Sequence, residues 1–574
     1  MTGGEGGRSA SASASAVPLG LRVRALEHAG AASRLHGRRR DPSPTAPSLS
    51  LASSSAHPLS TLTCPSLPPS ASSAVSELIY WEENERDSHF VSPYHQPGRY
   101  ITFESDHGGW NNIRMAMETI LALAAATGRT LVLPPEAGMY LLDKDKEQKE
   151  NNKLDFEDFF HMESIAEHLD GVDVITMEQF LEREAKNGMP RVSDETGEES
   201  DEILPLPRDG LTDWGGVYKQ RELFDFLRDV AYVRNMKPQK DFLVFPKDPA
   251  KSTYQDMVYL VNQEDMFDEA GEPDAKIEPR FNNQVKDSFV GKPVKVSAPA
   301  PERMREFYAG RGKMHVYDKA LQDAKVLHFP VDHNLGSRML THFYAFVFFE
   351  DYEMDLWVKR VVRDHMRYRD EIFCAAAKVL EAVHTKSLAH NAEHGGSFDS
   401  FHIRRGDFQY KETRLEAAEI DEATKDLLVP GRTVFIATDE FDRKFYAPLS
   451  AKYNTLFLGD FMKELEGVNP NYFGMIDQLV SSRGKVFIGT WFSTFTGYIN
   501  RMRGYHKEFK DEETGGGGGD GLDEFGKRHD GTVESYYFAR PRDKFEMVNY
   551  TPIRPPFYPR EFPLGWRNID DNPE

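Results

Sequence analysis

From residue 398 onward, apolar runs and polar turns alternate with a regularity that few folds permit. The runs are Phe401-His402-Ile403-Arg404, Val434-Phe435-Ile436-Ala437, Leu456-Phe457-Leu458 and Lys485-Val486-Phe487-Ile488-Gly489. Short, apolar and bounded by turn residues, they read as buried strands. Helical spacing predicts helices near 441–453, 471–482 and 494–505, after a long helical region from Met354 to Leu388. Four strands alternating with helices require a parallel sheet covered on both faces.

A second unit lies near the N-terminus. Tyr100-Ile101-Thr102-Phe103-Glu104 has strand composition, and Asp106-His107-Gly108-Gly109-Trp110-Asn111-Asn112 breaks it. Ile113, Met117, Ile120, Leu121 and Ala124 then recur at helical spacing before Gly128 and the strand Thr130–Leu133. That is a βαβ unit. Val172–Thr176 and Met177–Leu181 predict a further strand and helix. The charged stretches 141–153 and 184–203 read as surface insertions, and 204–300 carries no pattern that places it. The class is α/β, and ligands of such sheets sit beyond the strands' carboxyl ends.

At 574 residues, the chain exceeds what one core usually organises. Residues 1–75, rich in Ser, Ala, Pro and Gly, read as a disordered extension with order starting near Tyr80. Two Rossmann-like domains then follow, 76–350 and 351–574, the second carrying a flexible Gly-rich loop at 511–531. The tail after 535 is expected to pack across the surface. A formal charge of -22 argues against nucleic-acid binding. Cys64 and Cys374 are too few for a disulfide framework, and such sparse usage suits a reducing compartment. No apolar stretch is long enough for a transmembrane helix.

Chemistry-bearing residues gather at predicted strand ends. Arg404 and Arg405 meet a Gly turn where a guanidinium fork could hold a diphosphate; the plainer alternative is an Arg404–Asp407 ion pair tying the turn. Ser493 and Thr494 open a helix, as a phosphate seat or as simple N-caps. Asp477 falls on or beside an apolar helical stripe, where a buried carboxylate needs a partner such as Arg or the two donors of a guanine edge; the alternative is a snorkelling edge residue. Thr438-Asp439 is a similar strand-end site. Glu104, Asp106 and His107 are the candidates for a general base, with turn and cap chemistry as the alternative. His328, His333 and His342 lack metal-ligand spacing and read as packed histidines, and Asp143/Asp145 as part of a solvated insertion.

In this order, the Gly-Gly-Trp-Asn-Asn loop, His402–Asp407, Val434–Asp439, Asp477 and Phe487–Phe495 resemble the GDP-fucose protein O-fucosyltransferases. The likeness is closest to the branch modifying thrombospondin-type repeats and is best over 98–135 and 398–505. It implies a GT-B fold, two Rossmann-like domains facing a central cleft. It also implies inverting transfer of fucose from GDP-β-L-fucose to a protein or glycan hydroxyl, with no metal or other cofactor, in the ER or Golgi lumen. By that resemblance Arg404 stabilises the departing phosphate. His402, Ile403, Asp439, Asp477, Ser493, Thr494 and Phe495 line the donor site with Gly108, Gly109, Trp110 and Asn111. The related branch has a glutamate base where this chain has Gly108. The rival expectations are a related transferase using another donor sugar (UDP-rhamnose, for example) or a polysaccharide acceptor, and a non-catalytic nucleotide-sugar-binding protein. A nicotinamide oxidoreductase lacks its GxGxxG.

Overall fold

The structure, a computed structural model, describes most of residues 72–250 and 314–506, with 534–538, 566, 569–570 and a few positions between 62 and 67. His107, Asp143, Asp145, His333, Asp407, the loop 511–531 and most of the 1–75 segment lie outside the described residues.

Two parallel sheets organise the chain. The first runs β3-β2-β1-β8, formed by Val174–Thr176, Thr130–Leu133, Tyr100–Phe103 and Val326–Phe329. The second runs β12-β11-β10-β13-β14, formed by Asn454–Leu456, Thr433–Thr438, Phe398–Ile403, Val486–Gly489 and Glu534–Tyr537. Numbered within each half, the orders are 3-2-1-4 and 3-2-1-4-5, the doubly wound arrangement. The fold is α/β with two Rossmann-like halves, as GT-B requires. A hairpin of β4 (Met189–Val192) and β5 (Glu199–Leu204) and a parallel three-stranded sheet, order β7-β6-β9 (Met314–Val316, Phe242–Phe245, Val347–Phe349), add to the first half.

The six longer helices follow from composition. α1 (Trp110–Thr127) is rich in Ala, Leu and Met, and nearly every residue in it is buried, as an all-round apolar helix must be. It ends at Gly128, whose φ of 62° is the left-handed cap, and a Cβ there would press on His95. α2 is Val217–Val230 and lies in the stretch the sequence left unplaced. The long helical region is two helices, α3 (Tyr352–His365) and α4 (Asp370–His390), split near Met366, which leaves the helical region of φ and ψ. α5 (Phe473–Ser481) and α6 (Thr494–Tyr505) match expectation, whereas 441–453 forms only short helical turns.

Three expectations need correction. The 184–203 stretch contains an ordered hairpin, since Met189 is buried and Arg191 pairs with Glu202 across the strands at 2.8 Å. Residues 534–537 do not merely cover the surface: they pair in parallel with β13 and extend the second sheet. Cys64 and Cys374 are joined as a disulfide, their Cα atoms 5.4 Å apart, and Leu67 and Ala74 pack into the core although their composition reads as tail. No helix among the described residues is long and apolar enough to cross a membrane.

Candidate functional site

In the second sheet, chain order reverses between β10 and β13, so their carboxyl ends flank an open crevice. Successive β10 side chains point to opposite faces. His402 faces α6: its Nδ1 lies 2.6 Å from Thr496 Oγ1 and its ring stacks on Phe495, centroids 4.4 Å apart. Burial pushes its pKa down to about 3, with Asp439 opposing and Arg404 reinforcing, so the imidazole is neutral at physiological pH. Ile403 faces the other way, into an apolar cluster with Phe401 and Ile436. Its side chain is core, not donor lining.

Arg404 stands at the strand end, its backbone N–H donating to Thr490 Oγ1 at 2.9 Å. Its guanidinium pairs with Asp439, which also accepts from Arg405 N at 2.7 Å and Gly406 N at 2.9 Å. A side chain at Gly406 would collide with that carboxylate. Asp439 thus ties the turn, and the Arg404 side chain is 24% exposed. Arg405 is committed to structure: it lies over Phe445 at 4.1 Å and bonds Leu415 O and Glu416.

Two helix N-termini meet at this crevice. Ser493 is the N-cap of α6 and Gly109 that of α1, and neither makes a side-chain capping bond. Simple capping by Ser493 is therefore not what the structure shows. Neither first turn holds an acidic residue. The turns touch: Thr494 Oγ1 donates to Asn112 Oδ1 at 3.2 Å, and Gln478 Nε2 donates to Asn111 Oδ1 at 2.8 Å. Uncapped first turns of two helices sum their partial positive charges at one spot, which suits an anion. Phe492, immediately before, has φ of 64°, the only non-glycine among the described residues with positive φ. One position before Gln478, Asp477 is half-buried as a residue, but its Oδ1 is shut off with no hydrogen-bond partner. Burial raises its pKa well above the carboxylate range.

The first sheet reverses between β1 and β8, and its crevice is filled. Glu104 accepts from Arg228 Nε at 2.8 Å and Nη2 at 2.9 Å, Val331 N at 3.1 Å and His328 Nε2 at 3.2 Å. Burial pushes its pKa up, but His328 and Arg228 outweigh burial and hold it low. Asp106 is forked by Arg338 at 2.7 and 2.6 Å and accepts from Gly108 N at 2.7 Å. Neither carboxylate is a free base. A Cβ on Gly108 would sit 2.5 Å from Asn112 Nδ2 and 2.8 Å from Asp106 Oδ1, so a glutamate there must displace those two side-chain ends. Trp110 turns its indole into the core beside Phe159, centroids 4.2 Å apart, leaving its backbone as its share of the loop.

His328 and His342 are packed histidines, the latter 2.8 Å from Arg501. Sequence reasoning passed over Gln478, Thr490, Thr496 and Arg338. Only Thr490 carried a signal, closing the strand that delivers Ser493.

A profile of GDP-fucose protein O-fucosyltransferases matches residues 100–506. The chain belongs to that family. The match spans both parallel sheets except β14, and both helix N-termini that meet at the crevice. Solved structures similar to this family member include POFUT1 in complex with GDP-fucose, 14% identical over 71% of this chain and 94% of that one, TM-score 0.28. The fucosyltransferase NodZ from Bradyrhizobium is 13% identical over 70% of this chain and 93% of that one, TM-score 0.30. No curated protein sequence matches.

Proposed function

We propose that this chain transfers fucose from GDP-β-L-fucose to a hydroxyl, that of a protein Ser or Thr, inverting the anomeric centre without a metal. Family membership supports the donor class, and POFUT1 is named in complex with GDP-fucose. One observation carries the reading: at the second sheet's switch point the partly exposed Arg404, tied to Thr490, stands at the turn that leads into the uncapped N-terminus of α6, whose first turn touches that of α1.

Each part matches one part of such a donor. The helix N-termini and Arg404 would take the diphosphate, whose charge grows as the glycosidic bond breaks. Fixed donors aimed at growing charge are the main lever for such a step. Asp439 fixes the Arg404 fork. The partnerless Asp477 oxygen suits the N1–H and amino group of guanine. Because burial favours protonated Asp477 in the free protein, accepting those donors requires losing a proton. GDP affinity should therefore rise with pH until the free carboxyl ionises.

Glu104 and Asp106 are locked to Arg side chains, so neither is free to deprotonate the acceptor. We infer that C–O cleavage runs ahead of attack: the bonding pair leaves with GDP, the acceptor oxygen bonds the electron-poor carbon, and its proton then passes to solvent water. Attack from the face opposite GDP inverts the centre. The test is a donor panel with product analysis: preference for GDP-fucose supports the reading, and preference for UDP-rhamnose defeats it. Gly108, standing where the related branch has its glutamate, favours a second reading, a GDP-sugar-binding protein without turnover. Calorimetric GDP binding with no donor consumption would select it.

A further inference from the structure

One buried residue connects the two helix N-termini at the crevice, and the proposed transfer does not use it. Gln478 on α5 is fully buried. Its Nε2 donates to Asn111 Oδ1 at 2.8 Å and to the Phe495 carbonyl at 3.4 Å, and its Oε1 accepts from the Tyr368 hydroxyl at 3.1 Å. That hydroxyl in turn accepts from Trp110 Nε1 at 3.5 Å. The bonds form a circuit: it leaves α1 at Trp110, passes through Tyr368 and Gln478, and returns to α1 at Asn111. A branch reaches the first turn of α6 at Phe495. Bonds in a buried chain of this kind reinforce one another and hold a single geometry.

We propose that Gln478 is a positioning residue which sets the Asn111 carboxamide against the carboxyl edge of the second sheet. The circuit fixes the amide's sense: with Oδ1 accepting from Gln478, Asn111 offers its two amide hydrogens to whatever occupies the crevice. The contacts fix distance as well. They join the first turns of α1 and α6 through one rigid side chain, which adds to the direct Thr494–Asn112 bond. Two loops on separate sheets thereby behave as one surface. The role in transfer rests on the proposed function; the mechanical coupling does not.

Gln478→Met keeps length and removes every hydrogen bond. The full chain carrying it is compared with wild type by GDP titration, donor turnover and amide hydrogen exchange. Expected are a GDP Kd within about threefold of wild type and a kcat lower by roughly ten- to a hundredfold, the scale of a small misplacement at a reacting centre. Amides of residues 111–113 should exchange faster. Asn111→Ala should show the same kcat loss, and the double variant should be no worse than either, because both break one circuit. Full kcat in Gln478→Met, independent multiplying losses, or a parallel loss of GDP binding, turnover and global stability would each overturn the proposal. Should Gln478→Met fail to fold, Tyr368→Phe removes one hydroxyl from the same circuit. Faster exchange at 111–113 with GDP binding retained then supports the proposal, and unchanged exchange overturns it. If wild type consumes no GDP-fucose, the donor reading fails by itself, and exchange at 111–113 still decides the coupling.

Discussion

The two parallel sheets reverse their strand order in the same way, yet the crevices at the reversals are opposites. Between β1 and β8 the two described candidate carboxylates are answered: Glu104 receives four hydrogen bonds and Asp106 three. At the reversal between β10 and β13 the Arg404 side chain is partly exposed and two helices present uncapped first turns, and on α5 an Asp477 carboxylate oxygen lies buried without a partner. The first reversal is closed by its own ion pairs, and the second is the one we propose for the ligand. Topology makes both places available, and the pattern of polar partners favours the second.

That contrast can be broken by exchanging its consequences. The largest effect is expected at Arg404: Arg404→Ala should cut turnover by roughly 10²–10³, the usual cost of one oxyanion donor, with an unchanged circular dichroism spectrum. Normal turnover would mean the open crevice is not the site. Asp477→Asn should weaken GDP binding by about ten- to a hundredfold, from loss of a charged acceptor, and flatten its rise with pH. The same variant should be more stable than wild type, increasingly so as pH climbs from the acid range to neutrality. The sign follows from burial: a raised carboxyl pKa means the native state holds a proton that the unfolded chain releases earlier, so wild-type stability falls with rising pH. Chemical denaturation at several pH values measures it.

In the filled crevice the order inverts. Glu104→Gln should leave GDP affinity unchanged while lowering unfolding free energy by about 1–3 kcal/mol, the cost of disrupting a buried charged network. A selective fall in kcat would restore Glu104 as a base candidate. Smallest is Gly108→Glu, which supplies the glutamate of the related branch but meets Asn112 and Asp106. It should cost about 1 kcal/mol of stability, the low end for overpacking because the neighbours are side-chain ends, and give no gain in turnover.

The second sheet was the more legible half in sequence. Its strands are continuous apolar runs closed by Arg404, Asp439 and Gly489-Thr490, and length and spacing suffice for such segments. Ile403 and Trp110 were assigned to the donor with their neighbours, but strand alternation and core packing turn them away. Gln478 was illegible because its importance is entirely tertiary, spread over partners 110 or 111, 368 and 495. Chain reading could not see that Glu104 and Asp106 are spent either, since Arg228 and Arg338 come from distant segments. β14 hid beyond a glycine run that carries no periodicity.

The bond between Cys64 and Cys374 bears on how the protein is made and handled. It spans 310 positions, and in the chain-entropy view closing so long a loop stabilises by roughly 5–6 kcal/mol. A truncation designed on composition alone, starting near Tyr80, would discard one partner, strand a thiol on α4 and remove the helix Ser72–Leu78 that covers the core there. Preparations meant to keep the enzyme intact should begin upstream of Leu62 and be purified without thiol reductants.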